Sequence, residues 1–172
     1  MNCKIQKSKL NGRITCPSNK SYTHRAIFLA ALSDGKSIVK KILRSNDTIS
    51  TINACRGFGV EVEEVEDKVT INNTIDSTVE NSMIDAGNSG TTIRIAIAIA
   101  GLSGGNTKLT GDESLRKRPM QPILDALETM GVKTESDDGK PPVHINGKIE
   151  GNEICLLYTS DAADDTPCVD LG

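Results

Sequence analysis

The sequence predicts an α/β fold built from repeated βαβαββ units, and three observations carry that prediction. Features recur at an offset of about 70 to 74 residues; an apolar, Ala-rich run follows an early strand in each copy; and two short strand segments around an Asp-containing turn close each copy. The recurrence is pairwise. Leu32-Ser33-Asp34-Gly35 is answered by Leu102-Ser103-Gly104-Gly105, Phe58-Gly59-Val60 by Met130-Gly131-Val132, and Val69-Thr70-Ile71-Asn72 by Val143-His144-Ile145-Asn146.

Each copy is expected to begin with a strand, residues 13–16 in the first and 83–86 in the second. The Ala-rich run that follows, residues 22–32 and 91–102, reads as a buried helix opened by small polar residues and closed by glycine. In the second run Ile93, Ile95, Ile97 and Ile99 alternate with Arg94, Ala96, Ala98 and Ala100, a period of two that favours a strand. Helix is nonetheless expected, because the matching run of the first copy lacks the alternation. A short strand comes next, residues 37–42 and 107–110, and then a second helix. Asp47 is the candidate cap of the first of these helices, with Gly57 and Gly59 at its end; Pro119 is placed to open the second, where its missing N–H costs nothing, and Gly131 to stop it. Hairpins of residues 60–64 with 69–72 and 132–135 with 143–146 turn at Asp67 and at Asp137-Asp138-Gly139.

Composition narrows the partner. A net charge of -3, two Phe, two Tyr and no Trp argue against a nucleic-acid binder, which needs a basic face and aromatic platforms for bases. A small molecule is expected instead. Five cysteines, odd in number and widely spaced, support neither a disulfide framework nor a zinc site, and His24 and His144 lack metal-ligand spacing, so no metal is assigned. With no signal peptide in view, reduced thiols in a cytoplasm are expected. The longest apolar stretch, residues 95–102, falls far short of the roughly 20 residues that span a bilayer, so no membrane segment is expected.

Two segments carry chemistry. Pro17-Ser18-Asn19-Lys20-Ser21-Tyr22-Thr23-His24-Arg25 puts a lysine, hydroxyls and an arginine at a helix start, where free N–H groups and the positive end of the macrodipole favour a phosphate or carboxylate. The bland reading is solvated surface charge with Ser21 as a cap. At the equivalent place in the second copy, Gly87-Asn88-Ser89-Gly90-Thr91-Thr92-Ile93-Arg94 lets a ligand approach the backbone while Asn88, Thr91 and Thr92 offer polar contacts. Taken alone it is a glycine-rich turn into a capped helix. Two such segments at matching places in a duplicated unit favour the anion reading, and Arg116-Lys117-Arg118-Pro119 adds a third cationic stretch.

Pro17-Ser18-Asn19-Lys20-Ser21 with Arg25, Gly87-Asn88-Ser89-Gly90-Thr91 with Arg94, and Arg118-Pro119 occur in the order and approximate spacing of the 3-phosphoshikimate 1-carboxyvinyltransferases, or EPSP synthases. The chain resembles that family from about Met1 to Ile154. The resemblance implies an inside-out α/β barrel of two domains, each of three βαβαββ units, with the substrates in the cleft between them. Residues 15–154 would be two of the three units of one domain, and residues 1–14 a strand of the other. It further implies that Lys20 contacts both substrates, that Ser21 and Arg25 hold shikimate 3-phosphate, and that Gly90 and Arg118 bind phosphoenolpyruvate, with Asn88, Thr91 and Arg94 lining the same region. The implied reaction adds the 5-hydroxyl to the enol ether carbon through a tetrahedral intermediate and then expels phosphate. It uses no metal or organic cofactor, and the full-length family member is implied to be a monomer.

After Ile154 the sequence departs from the family pattern, which continues into a Ser-Ser-Gln segment. Residues 155–172 hold four Asp and no Lys or Arg, and are expected to be a non-native or unstructured tail. The chain is accordingly expected to be an amino-terminal fragment that binds without the full catalytic set, its acid and base groups lying in the missing half. Two other functions stay open. The enolpyruvyl transferase acting on UDP-N-acetylglucosamine shares the implied fold, although Lys20-Ser21 followed by Arg25 fits a sugar-phosphate-like acid better; a non-catalytic anion-binding module is the other.

Overall fold

A computed structural model describes residue 9, residues 11–72, residue 75 and residues 81–151 of the chain. Helix α1, Lys20–Leu32, starts where the Asn19 side chain accepts the Tyr22 N–H at 3.0 Å. Its buried residues Thr23, His24, Ile27, Phe28, Ala30 and Ala31 recur at helical spacing, so a single face enters the core. Strand β1, Ser37–Val39, leads to helix α2, Asn46–Gly57, which a reciprocal capping box between Ser45 and Thr48 opens. Strands β2, Val62–Val65, and β3, Lys68–Ile71, form a hairpin whose turn holds Glu66 at a φ of 51°.

The second series runs β4, Ser82–Asp85; α3, Gly90–Ser103; β5, Asn106–Thr110; a single 3-10 turn, Leu115–Lys117; α4, Gln121–Thr129; β6, Lys133–Asp137; and β7, Lys140–Asn146. The strands make two sheets, ordered β1-β3-β2 and β4-β5-β7-β6. All pairings are antiparallel except that of β4 with β5. The duplication is visible in the register itself. Ser37, Ile38 and Val39 face Ile71, Thr70 and Val69, and at the corresponding places Thr107, Lys108 and Leu109 face Ile145, His144 and Val143.

Residues 91–102 lie wholly within α3, as expected against their strand-like alternation. The reason is that alternating Ile with Ala gives no polar contrast: Ile93, Ile97 and Ile99 are buried, and so are Ala96 and Ala100. A period of two between two apolar residues cannot define an outer face.

Four expectations are corrected. Residues 13–16 are not a strand; Ile14 is 91% exposed, and β1 has only β3 beside it, whereas β5 is flanked by both β4 and β7. Asp47 is not the cap of α2, because Ser45 is, and Asp47 sits in the first turn with its carboxylate free for another partner. Pro119 does not open α4: the helix begins at Gln121 with Pro122 in its first turn, where a proline N–H is not needed either. The strand at residues 37–42 also ends early, at Val39. The expected tail at 155–172 lies outside the described residues.

One core joins both sheets. Val69 and Ile71 of β3, Leu109 of β5 and Val143 and Ile145 of β7 belong to the same buried cluster as Ile27, Ile52, Ile93 and Ile97 of the helices. Each such side chain contributes about 1.5–3 kcal/mol when fully buried. α2 packs against α1, α3 and β4, which brings three helix starts to one place.

Candidate anion-binding site

A cavity of about 380 Å³ opens where those helix starts meet, lined by Lys20, Asp47, Asn88, Gly90, Thr91, Arg94 and Arg118. Lys20, Asp47, Gly90 and Thr91 all belong to first turns, of α1, α2 and α3 in order. The positive ends of three helix dipoles therefore point toward it. Three cations face it against a single carboxylate. Such a wall suits a phosphate or carboxylate, whose oxygens accept from N–H groups and from charged side chains.

Each cation is held differently. Lys20 Nζ lies 2.7 Å from Asp47 Oδ2, a half-exposed ion pair of the kind worth about 0–1 kcal/mol, so an arriving anion can draw the ammonium away cheaply. Arg94 donates to the Gly90 carbonyl one turn back at 3.3 Å and to the Pro119 carbonyl at 3.2 Å. Arg118 follows the 3-10 turn and donates to Asn88 Oδ1 at 2.7 Å. Asn88 in turn donates to Asp112 Oδ2 at 2.7 Å, and Asp112 Oδ1 accepts the Leu115 N–H at 2.8 Å. Asp112 thus braces a side-chain relay that holds Arg118 at the cavity wall. The Leu115 N–H first, then the Asn88 amide, hold the Asp112 carboxyl below the ordinary aspartate range.

Gly90 is what lets the two guanidiniums in. A Cβ there would stand 2.9 Å from an Arg118 nitrogen and 3.1 Å from an Arg94 nitrogen. Close approach, not an unusual φ, is the requirement.

Of the residues singled out in the sequence, Lys20, Asn88, Gly90, Thr91, Arg94 and Arg118 are brought together. Ser21 and Arg25 do not line the cavity: both are exposed on α1, with Arg25 donating to the Ser21 carbonyl at 3.3 Å and its guanidinium 5.0 Å from the Tyr22 ring centre. Of the basic run at 116–118, Arg118 alone reaches the cavity, while Lys117 pairs with Glu113. Asp47 and Asp112 were missed as site residues. A turn cap at Asp112, three residues before Leu115, was legible; the pairing of Asp47 with Lys20 depends on helix packing and had no local signal.

By class, then, this is an α/β repeat protein with a cationic cavity where helices converge. A family model described as EPSP synthase (3-phosphoshikimate 1-carboxyvinyltransferase) matches residues 5–161, and the chain belongs to that family. A 3-phosphoshikimate 1-carboxyvinyltransferase of Nitrosopumilus maritimus (strain SCM1) is 51% identical over 156 residues, covering 91% of this chain and 37% of that relative. One from Methanothermobacter thermautotrophicus is 44% identical over 159 residues, covering 91% and 38%. Among solved structures, EPSP synthase from Acinetobacter baumannii superposes with a TM-score of 0.77 at 31% identity, covering 87% of this chain and 36% of that one. The chain spans little more than a third of the length of these relatives.

Proposed function

We propose that the whole protein to which this chain corresponds transfers the enolpyruvyl group of phosphoenolpyruvate to shikimate 3-phosphate, and that this chain supplies one cationic wall of the substrate site. The observation that carries the reading is the convergence of three helix starts with Lys20, Arg94 and Arg118 on one cavity. Its volume, about 380 Å³, falls within the roughly 300–1,000 Å³ of small-molecule sites. Phosphoenolpyruvate presents a phosphate and a carboxylate at short range, and Arg118 and Lys20 both line the cavity to receive them. Ser21 and Arg25, exposed on the same helix outside the cavity, are read as contacts of a second anion, that of shikimate 3-phosphate. In the same reading residues 15–154 are two of three units of one domain, and residues 1–14 belong with the other.

Direct titration tests it. Phosphoenolpyruvate should bind the 172-residue chain, and Lys20→Ala or Arg118→Ala should each weaken binding by about tenfold or more, the scale of one charge-assisted hydrogen bond. Ser21→Ala should leave phosphoenolpyruvate affinity unchanged and weaken shikimate 3-phosphate. Equal affinity in the unaltered chain and both cation variants would refute the assignment.

A further inference from the structure

Beneath the cavity runs a chain of buried polar groups that substrate charge does not account for. His24 lies four residues after Lys20 on α1, and Thr51 four residues after Asp47 on α2, so each pair shares one face of its helix. Two rungs consequently join the helices. The outer is the Lys20–Asp47 pair at 2.7 Å; the inner brings His24 Nδ1 within 2.6 Å of Thr51 Oγ1. From there the contacts cross to α3, with Thr51 Oγ1 2.8 Å from Thr92 Oγ1 and Thr92 donating to Ser89 Oγ at 2.7 Å. Ser89 caps α3, and the next two residues are Gly90 and Thr91 of the cavity wall. All four members are buried, His24 to 1% exposure.

The direction of these bonds can be worked out. Among the described residues His24 Nε2 is buried with no partner, and a buried N–H without an acceptor is the costlier orphan. Burial also disfavours the imidazolium, more than Asp47 nearby restores it. The ring therefore carries its single proton on Nδ1, donates to Thr51, and passes the same polarity through Thr51 to Thr92 and on to Ser89.

We propose that His24 is a positioning residue: its Nδ1–H, acting through Thr51 and Thr92, fixes the start of α3 against the start of α1, so that Gly90 and Thr91 face the same anion as Lys20. The consequence for the anion rests on the proposed site; the coupling between the helices does not. Apolar packing could fill the same space. It would not set direction, because only the hydrogen bonds constrain angle as well as distance.

The test uses the 172-residue chain. Imidazole nitrogen NMR should show His24 protonated at Nδ1 and bare at Nε2. In His24→Leu, and in Thr51→Val, the Gly90 and Thr91 amide signals should move and affinity for inorganic phosphate should fall about tenfold, as for loss of one buried hydrogen bond. His24→Asn, whose amide N–H can stand where Nδ1–H stood, should restore both. A folded His24→Leu with unmoved Gly90 and Thr91 signals overturns the proposal, as does an asparagine variant that behaves like the leucine one, or an Nε2–H tautomer. If His24→Leu fails to fold, Thr51→Val decides by the same signals. Absence of phosphate binding by the unaltered chain would count against the anion site, and the amide signals would still decide the coupling.

Discussion

At Gly90 stability and binding pull in opposite directions. Its φ is not in the left-handed region and it opens a helix, so alanine there should leave stability unchanged or raise it by about 0.4–1 kcal/mol. The added methyl would meet only the far ends of Arg118 and Arg94, which can swing aside but then leave the cavity they line. Thermal melting and phosphoenolpyruvate titration of Gly90→Ala should therefore show an equal or higher Tm together with weaker binding. A lower Tm with unchanged binding would contradict this. Asp112 gives a second test at the same scale. Its carboxyl is depressed by the Leu115 N–H and the Asn88 amide, so its contribution is fully present above the ordinary aspartate value and is lost as pH falls through the folded one. Carboxyl carbon NMR should place its midpoint below that of an unfolded aspartate. In Asn88→Ala the midpoint should rise partway, because the larger cause, the Leu115 N–H, stays.

Among the elements, the helix starts decide most. Ser45 and Thr48 satisfy each other's backbone groups at the opening of α2, and Ser45→Ala should cost about 1 kcal/mol, read as a lower urea midpoint at unchanged slope. On the buried side of the same helix, burial pushes the Cys55 thiol up to about 12, whereas Cys16 is exposed. Alkylation at pH 8 followed by peptide mapping should label Cys16 and spare Cys55; rapid labelling of Cys55 in the folded chain would contradict its place in the core. The sequence revealed these helices because glycine stops and buried spacing are local properties. It misplaced the cap of α2, since Asp47 and Ser45 are both good caps and only backbone geometry chooses between them. It also expected a strand at residues 13–16, which β-branched Ile14 and Thr15 invite; pairing needs a neighbour, and among the described residues β1 offers its free edge to none. Six cavity-lining residues were legible as cations, a glycine and polar groups at or near helix ends. Asp47, His24 and Thr51 were not, because their roles come from two helices meeting 27 residues apart in sequence.

For the whole molecule, the decisive property is openness. Lys20 is half exposed, and a few contacts on a wet face, enough to bind one anion, are too little to hold two anions and stabilise a charged transition state between them. Excluding water would strengthen the same contacts without changing the residues that make them. The chain covers 37% of its Nitrosopumilus relative, so the surface that would exclude water is sought in the remaining length. The most direct measurement is phosphate release from phosphoenolpyruvate and shikimate 3-phosphate, by the 172-residue chain alone and by the chain joined to the remaining segments of a family member. The chain alone should give no turnover, the joined protein should turn over, and Lys20→Ala or Arg118→Ala in the joined protein should cost about 10²-fold or more in rate. Full turnover by the chain alone, or a joined protein indifferent to both substitutions, would contradict the account.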